Sequence, residues 1–325
     1  MDSFARKLAV VTGGGSGIGR AVAQQLAAQG CSVAACDLDA ETIAETTAMA
    51  MDDAPPGVRV TGHTCDVSQE AQVLRFRDEV VEQHATDHVD LVFSNAGVGG
   101  GGSFVTDSRE EWERTFAIDW WGVYYCARAF LPLLMTSDDA VLVNTSSVNG
   151  FWATLGPGRP HTAYSAAKFA VKGFSEALIE DLRLHAPQVR VAVVMPGHVG
   201  TNIITNSMRI HGHRRVEDMN DAELDNARAA MVKLGVLAEG VPAAEVRRVA
   251  AQLANDFRDK APVSPAEAAG VILDGVRSGA WRILIGQDAQ WLDERVREMP
   301  EHAYDFGEFF KPQTDASAAG GAETA

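Results

Sequence analysis

Tyr164 and Lys168 stand four residues apart in an apolar, helix-like run from Ala163 to about His185. That spacing places both side chains on one face of a helix. Lowering the pKa of a phenol from about 10 to about 7 requires roughly 4 kcal/mol. A cation about 4 Å away supplies on the order of that energy at an effective dielectric near 20. The pair therefore indicates an activated general base, or else a packed tyrosine beside a solvated lysine.

Three glycines, Gly13, Gly17 and Gly19, follow an apolar run at residues 8–12 and precede a helix-like segment at residues 20–29. A short apolar run is typical of a strand buried on both faces of a parallel sheet. Glycines let the backbone approach a pyrophosphate, and a helix N-terminus supplies free N–H groups and a positive dipole end. Strand, glycine turn and helix together predict a dinucleotide phosphate site.

Asp37 ends a second strand-like run at residues 31–37, after the glycine turn. A carboxylate in this position accepts hydrogen bonds from the adenosine ribose hydroxyls. The same charge repels a 2′-phosphate, and Ser16 stands where a basic phosphate partner would be expected. Asp37 therefore favours NAD over NADP, with a solvated acid at a strand end as the alternative interpretation.

Strand-like and helix-like segments alternate along the chain. The remaining strands are predicted at residues 58–64, 89–93, 140–145, 189–194 and 281–285. Such alternation implies right-handed crossovers, so we expect an α/β, Rossmann-like, doubly wound parallel sheet of about seven strands with helices on both faces. The carboxyl ends of such strands face the ligand crevice. The unusual residues stand at those ends: Gly13, Asp37, Asp66, Asn95, Ser147 and Pro196.

The net charge of −16 argues against nucleic acid and anionic membranes as partners, because both would repel the chain. Cys31, Cys36, Cys65 and Cys126 are scattered without metal-ligand spacing. We therefore expect no metal site and reduced thiols in the cytoplasm. The chain enters a strand pattern without a signal peptide, and its apolar runs fall short of the ~20 residues that span a bilayer.

A capping box at residues 108–111 opens a long helical region that runs to about Met135 and contains the aromatic residues Trp120 and Trp121. An aromatic cluster on a helix is typical of a packing face or a subunit interface. We expect a homodimer or a homotetramer.

Together these motifs resemble the short-chain dehydrogenase/reductase family over about residues 5–290. The matching motifs are Thr12-Gly-x-x-x-Gly-x-Gly19, Asn95-Ala-Gly97, Ser147, Tyr164-x-x-x-Lys168, and Pro196-Gly197 followed by Thr201. The resemblance implies a nicotinamide cofactor and the oxidation of an alcohol or reduction of a ketone. In that family the tyrosine exchanges a proton with the substrate oxygen, the lysine lowers the pKa of the tyrosine and holds the nicotinamide ribose, and the serine positions the oxygen. These roles fall on Tyr164, Lys168 and Ser147.

The resemblance also implies the contacts of the cofactor. They fall on Gly13, Ser16, Gly17, Ile18, Gly19, Asp37, Asp66, Val67, Asn95, Ala96, Gly97, Tyr164, Lys168, Pro196, Gly197, Val199 and Thr201. Ser147 is preferred to Ser146 because the family's serine directly precedes an apolar position, here Val148. Asp119 replaces an asparagine that usually completes a proton relay, largely through its backbone carbonyl. We expect an altered but intact relay and count Asp119 with the catalytic residues.

The segment between Ser147 and Tyr164 is longer than the family norm, and its extra length at residues 150–160 enlarges one wall of the substrate site. We expect substrate contacts from Ser147, Asn149, Trp152 and Tyr164. Residues 202–262 are predicted to form a helical lid with two amphipathic helices, whose apolar faces either line a substrate pocket or pack on the core. Residues 1–311 are predicted to be one domain, followed by a disordered tail at residues 312–325.

The leading hypothesis is an NAD-dependent oxidoreductase that acts on a bulky, hydrophobic secondary alcohol or ketone. Steroid-, terpenoid-, retinoid- and fatty-alcohol-like compounds all suit a large apolar pocket. A carrier-bound 3-oxoacyl reductase is one alternative, which Asp37 disfavours because such reductions usually draw on NADPH. A nucleotide-sensing or scaffolding protein without catalysis is the alternative from another class.

Overall fold

The computed structural model describes residues 1–311, so the tail that was predicted to be disordered, residues 312–325, lies outside the described residues. The strands are β1 (Leu8–Thr12), β2 (Ser32–Asp37), β3 (Val60–Thr64), β4 (Leu91–Ser94), β5 (Ala140–Thr145), β6 (Val189–Pro196) and β7 (Arg282–Ile285). Within residues 1–311 they form one seven-stranded sheet in the order β3-β2-β1-β4-β5-β6-β7. Every neighbouring pair is parallel, which confirms the predicted doubly wound sheet.

The described residues also contain twelve α-helices, several of which cover the two faces of the sheet. They are α1 (Gly17–Ala28), α2 (Ala40–Asp52), α3 (Glu70–His84), α4 (Arg109–Phe116), α5 (Gly122–Leu134), α6 (Thr162–His185), α7 (Ile203–Ile210), α8 (Asp221–Lys233), α9 (Ala243–Asp259), α10 (Pro265–Ser278), α11 (Gln287–Glu298) and α12 (Phe306–Phe309). Among residues 1–311, no helix has both the length and the apolar composition that a membrane span requires.

Two apolar layers lie on opposite faces of the sheet. Alternate residues of β1 show the division, because Val11 joins the core beneath α1 and α10 whereas Val10 joins the core beneath α3, α5 and α6. A strand with both faces covered needs a continuous apolar sequence, and all five residues of β1 are buried. The sheet is therefore a rigid platform whose loops can carry the functional groups.

The strand boundaries differ from the prediction by one or two residues at several ends. β3 begins at Val60 rather than residue 58, and β4 begins at Leu91 rather than residue 89. Isolated apolar residues beside a strand carry the same sequence pattern as the strand itself, and the hydrogen-bonded register decides where pairing starts. The carboxyl ends, which face the cleft, stand within two residues of their predicted positions.

The long helical region predicted from residue 108 to about residue 135 is interrupted. Ala117–Trp121 forms a π-helical turn between α4 and α5. A π-turn inserts one extra residue into the helix and is frequent at functional sites. It carries Asp119, which is fully buried.

The segment predicted as a lid contains the two expected helices, α8 and α9, and also the shorter helix α7. α8 is capped by Asn220, whose side chain accepts from the Glu223 N–H while the Glu223 carboxylate accepts from the Asn220 N–H. Leu224 and Val246 are the fully buried apolar residues of α8 and α9, and the two helices pack against each other.

Candidate functional site

The carboxyl ends of the central strands border a cleft of about 1000 Å³. Of the residues predicted to bind cofactor or substrate or to take part in catalysis, all but Gly19 and Asp119 line this cleft. Gly19 lies behind the glycine turn, where an added Cβ would overlap the Gly13 carbonyl oxygen. Asp119 lies behind Lys168 and contacts it directly.

The glycine turn between β1 and α1 is shaped to hold an anion. Gly13 and Gly17 have φ values of +66° and +54°, a region that favours glycine. A Cβ on Gly13 would stand 2.7 Å from the Ala96 Cα, so the two loops can meet only at glycine. Ser16 precedes α1 without capping it through its side chain. The first N–H groups of a helix have no partner inside that helix, so they can serve a pyrophosphate.

Asp37 stands at the end of β2 and lines the cleft. Its Oδ2 accepts a hydrogen bond from the Gly15 N–H at 2.9 Å, and its Oδ1 accepts from the Asp39 N–H at 3.3 Å. These two bonds fix the carboxylate against the glycine turn while each oxygen keeps a further acceptor site. The residues present therefore fit a dinucleotide whose ribose hydroxyls donate to Asp37.

Asn95 ties the neighbouring loop to the glycine turn. Its side-chain Nδ2 donates to the Thr12 carbonyl at 3.1 Å, and its backbone N–H donates to the Thr12 hydroxyl at 3.0 Å. Ala96 and Gly97 follow in the segment that bends along the cleft. The predicted sequence Asn95-Ala-Gly97 thus sets the distance between the ends of β1 and β4.

Lys168 forms a buried ion pair with Asp119. The Nζ atom lies 3.1 Å from Asp119 Oδ1 and donates to the Thr145 carbonyl at 3.2 Å. Asp119 Oδ1 also accepts from the Val98 N–H at 3.2 Å, whereas Oδ2 is buried and has no hydrogen-bond partner among residues 1–311. A Cβ on Gly97 would stand 2.6 Å from Asp119 Oδ1, so only glycine leaves room for this pair.

Tyr164 stands beside the ion pair, with Lys168 Nζ 5.2 Å from the centre of the phenol ring. Burial raises the pKa of Tyr164, and although Lys168 and the Ser147 hydrogen bond lower it, the net pKa is above its usual value. The expectation that one cation brings the phenol pKa to about 7 is therefore wrong for this arrangement. Desolvation opposes the lysine, and the Asp119 carboxylate further raises the pKa of the phenol.

The ion pair keeps the lysine charged. Burial lowers the pKa of Lys168, but the Asp119 carboxylate and the Tyr164 phenol raise it by more, so the net pKa is above its usual value. Burial also raises the pKa of Asp119, against the lowering effect of Lys168. The Asp119 side chain therefore raises the pKa of Lys168 through an ion pair. An asparagine in the same place could contact Lys168 but would carry no charge.

The two adjacent serines after β5 point to different partners. The Ser146 hydroxyl donates to the Lys168 carbonyl at 2.8 Å and is buried. Ser147 lies close enough to Tyr164 to lower the pKa of the phenol, and its hydroxyl accepts from the Asn149 N–H at 3.1 Å. This geometry favours Ser147 over Ser146 as the residue that meets a substrate oxygen.

Asn149 and Trp152, both predicted to contact substrate, also organise the loop that carries them. The Asn149 Nδ2 atom donates to the carbonyls of Trp152 and Thr154, both at 2.8 Å. The Trp152 indole N–H donates to the Ala303 carbonyl at 2.8 Å, and its ring stacks on Phe309 at 5.5 Å. The C-terminal segment thus holds one wall of the cleft in place.

The sequence analysis missed α7 as a bridge across the cleft. Ser207 on α7 accepts from the Gly99 N–H at 2.7 Å, in the segment after β4. The Arg209 guanidinium forms a 2.6 Å ion pair with Asp39, in the segment after β2. The polar residues of this segment carry no sequence signal that they pair with distant parts of the chain.

His161 is another cleft residue that the sequence analysis missed. Its ring stacks on the Tyr164 phenol with centroids 4.5 Å apart and planes 18° from parallel. His161 precedes the first residue of α6 and lines the cleft. The three-residue spacing from Tyr164 places both on one face of the helix start, and this spacing could have identified it.

Comparisons with known proteins agree with this geometry. A family profile described as short chain dehydrogenase matches residues 7–209. SadH of Mycobacterium tuberculosis, named as an oxidoreductase, is 33% identical over 299 residues, which cover 92% of this chain and 93% of that protein. The meso-2,3-butanediol dehydrogenase of Serratia marcescens is 33% identical over 201 residues, 62% of this chain and 74% of that protein.

A solved structure extends the similarity to three dimensions. A short chain dehydrogenase/reductase from Burkholderia phymatum, in complex with NAD, has a TM-score of 0.73 and 27% identity, covering 93% of this chain and 96% of that one. The matched profile, the relatives and the arrangement of the cleft agree, and the chain is a member of the short-chain dehydrogenase/reductase family of oxidoreductases.

Proposed function

We propose that this protein is an NAD(H)-dependent oxidoreductase that interconverts a bulky, hydrophobic secondary alcohol and its ketone. The observation that carries the proposal is the convergence of Ser147, Tyr164 and Lys168 in one cleft, with the lysine Nζ 5.2 Å from the centre of the phenol ring. A nicotinamide cofactor supplies hydride acceptance and donation when it is bound. The remaining chemistry, which is proton transfer and orientation, falls to side chains of this chain.

Tyr164 exchanges the proton with the substrate oxygen in this proposal. Alcohol oxidation requires the phenolate, so the Lys168 cation and the Ser147 hydroxyl favour the reactive form by stabilising negative charge on the phenol oxygen. Ser147 is held by the Asn149 N–H, which keeps its hydroxyl directed at the reacting oxygen. Asp119 holds Lys168 charged in a buried position, where an isolated cation would be costly.

We propose NAD rather than NADP as the cofactor. Asp37 carries the argument, since its fixed carboxylate would repel a 2′-phosphate. The Burkholderia phymatum relative is in complex with NAD. A metagenomic short-chain oxidoreductase in complex with NADP, at 26% identity, shows that both nucleotides occur on this fold.

The apolar lining of the cleft supports a hydrophobic substrate. Leu155, Ile204, Phe257 and Leu292 border it together with Trp152. A carrier-bound 3-oxoacyl reductase is the second candidate, supported by 32% identity over 199 residues to the mouse (3R)-3-hydroxyacyl-CoA dehydrogenase. A scaffolding role without catalysis has no comparable support, because a fold alone requires none of the three convergent side chains.

We further propose that residues 202–262 act as a lid within one domain and that two or four copies assemble. Trp121, the last residue of the π-helical turn before α5, and Phe169 on α6 are large apolar side chains with 41% and 42% of their surface exposed. A second copy that packs on these two helices would remove that surface from water. The four free cysteines suit a reducing cytoplasm. Light scattering of the purified protein measures the assembly directly.

The proposed function is tested with a panel of bulky secondary alcohols, each offered with NAD and with NADP while reduced nicotinamide is measured by absorbance. We expect turnover of hydrophobic alcohols with a higher kcat/KM for NAD. Preference for NADP together with activity only on acyl thioesters would support the second candidate instead. Tight nucleotide binding without turnover of any alcohol, ketone or thioester would contradict both enzymatic proposals.

A further inference from the structure

His161 offers a hydrogen-bonding group to the cleft that the proton-transfer chemistry does not use. Its ring stacks on the Tyr164 phenol with centroids 4.5 Å apart, and both residues line the cleft, so a ligand in the cleft can contact both. Backbone hydrogen bonds fix this position, because the Ser165 N–H donates to the His161 carbonyl and the Thr162 N–H donates to the Gly102 carbonyl, both at 2.9 Å. The side chain is therefore presented by a rigid helix start.

The two ring nitrogens of His161 differ in their surroundings. Nδ1 is buried and has no hydrogen-bond partner. Nε2 also lacks a partner within residues 1–311, but it is not enclosed, and the residue lines the cleft. An unpaired N–H is rarer and costlier in a buried position than an unpaired acceptor. The proton of the neutral ring therefore belongs on Nε2, where it faces the cleft as a donor.

The imidazole is neutral at physiological pH. Burial and, to a smaller extent, the neighbouring Arg159 cation together lower the pKa of His161 to about 4. Arg159 lines the cleft as well, and within the described residues its guanidinium has no ion pair or hydrogen bond. Both side chains thus offer hydrogen-bond donors to the cleft. These donors are the Nε2–H of His161 and the guanidinium N–H groups of Arg159.

We infer that His161 recognises a second oxygen atom on the substrate, so that the preferred substrate is a secondary alcohol carrying a hydrogen-bond acceptor two or three bonds from its carbinol carbon. The inference rests on the proposed function and names its substrate class more closely. A carbonyl or carboxyl oxygen in that position would accept from His161 Nε2 while the carbinol oxygen contacts Tyr164 and Ser147. His161 is then a specificity-determining residue that leaves the chemical step to Tyr164.

The test compares two alcohols that differ in one group. 3-Hydroxy-1-phenylbutan-1-one has the second oxygen, and 4-phenylbutan-2-ol replaces that carbonyl by a methylene. For each enzyme the ratio of kcat/KM values between the two compounds is measured with NAD, and the ratio of their Kd values is measured by calorimetry. The intrinsic reactivities of the compounds cancel when the ratio is compared between variants.

His161→Phe keeps an aromatic ring against Tyr164 but removes the donor. We expect the preference for the oxygenated compound to fall by about tenfold or more, because a site built around a hydrogen bond discriminates strongly against its loss. His161→Gln keeps an N–H donor and should retain part of the preference. His185→Phe changes an exposed histidine at the far end of the same helix and should leave the ratio unchanged.

The outcomes separate the inference from the proposed function. An equal preference in the wild type and in His161→Phe, in kcat/KM and in Kd, overturns the role of His161 even if alcohols are oxidised. Absence of turnover in the wild type contradicts the proposed function, and the Kd ratio then still decides whether His161 binds the second oxygen.

Discussion

Replacing Asp119 by asparagine removes one negative charge beside Tyr164 while keeping the shape of the side chain. Lys168 Nζ lies 3.1 Å from the carboxylate and 5.2 Å from the phenol ring centre, which places the carboxylate within about 8 Å of that ring. Across that distance two unit charges interact by about 2 kcal/mol at an effective dielectric of about 20, and by about a quarter of this in water. At 1.36 kcal/mol for each factor of ten, the effect corresponds to roughly 0.4 to 1.5 pH units.

The direction follows from the sign of the charge. Asp119 raises the pKa of Tyr164, so its removal lowers that pKa. Alcohol oxidation uses the deprotonated phenol, and activity rises as the pH passes upward through its pKa. The acid limb of the kcat/KM profile should therefore move to lower pH in Asp119→Asn.

The assay is the pH dependence of kcat/KM for one secondary alcohol with NAD, in the wild type and in Asp119→Asn. Glu113→Gln, which changes a largely exposed acid on α4, is the control and should leave the profile unchanged. Because breaking a buried pair can cost several kcal/mol, NAD binding and thermal unfolding are measured first. An acid limb that moves to higher pH would refute the reasoning, since it would mean that the loss of charge on Lys168 outweighs the loss of charge on Asp119.

Three further predictions concern the cofactor, α7 and the C-terminal segment. Asp37→Asn should raise the ratio of kcat/KM for NADP over NAD by about tenfold or more, because the carboxylate that repels a 2′-phosphate is lost; an unchanged ratio argues against this role. Arg209→Ala should raise the KM for NAD about two- to fivefold at low salt and by less at high salt, because salt screens the half-exposed ion pair between Arg209 and Asp39. A change in KM that does not depend on salt contradicts this explanation. Phe309→Ala should lower the free energy of unfolding in urea by about 3–5 kcal/mol, whereas exposed Phe104 tolerates the same change; equal losses refute the packing argument.

Local sequence patterns were sufficient to predict the sheet and most of the predicted residues that line the cleft. A short apolar strand, a glycine turn and a following helix depend on neighbours in sequence, which is why Gly13 and Asp37 were found at their strand ends. Parallel strands then bring those ends to one edge, whatever the loops between them do. Every predicted cofactor residue except Gly19 lines the cleft as a result. Their roles as cofactor contacts stay predictions.

Local sequence patterns could not predict the contacts between distant segments of the chain. Asp119 was noted as a departure from the family, but its pairing with Lys168 depends on the π-helical turn and on the absence of a side chain at Gly97. Lys168 does lower the pKa of the Tyr164 phenol as expected, but burial raises that pKa by more, and burial was not part of the spacing argument. Electrostatic effects depend on the enclosed geometry more than on residue types.

Trp152 shows that sequence patterns also fail to predict packing contacts between distant segments. It was predicted to face substrate, and it does line the cleft, but its ring also stacks on Phe309 and its indole N–H bonds the Ala303 carbonyl. About 150 residues separate these partners, so no periodicity relates them. The C-terminal segment therefore acquires a role in shaping the cleft only once the fold is known.

The central claim is that Tyr164 transfers the proton in an NAD-dependent reaction on a secondary alcohol. The most direct measurement pairs the turnover of Tyr164→Phe with its Kd for NAD, both compared with the wild type. The account predicts a loss of kcat of about 10²- to 10⁴-fold, the range that general acid–base catalysis contributes, with a Kd for NAD within about a factor of ten. Turnover at the wild-type rate in Tyr164→Phe would contradict it.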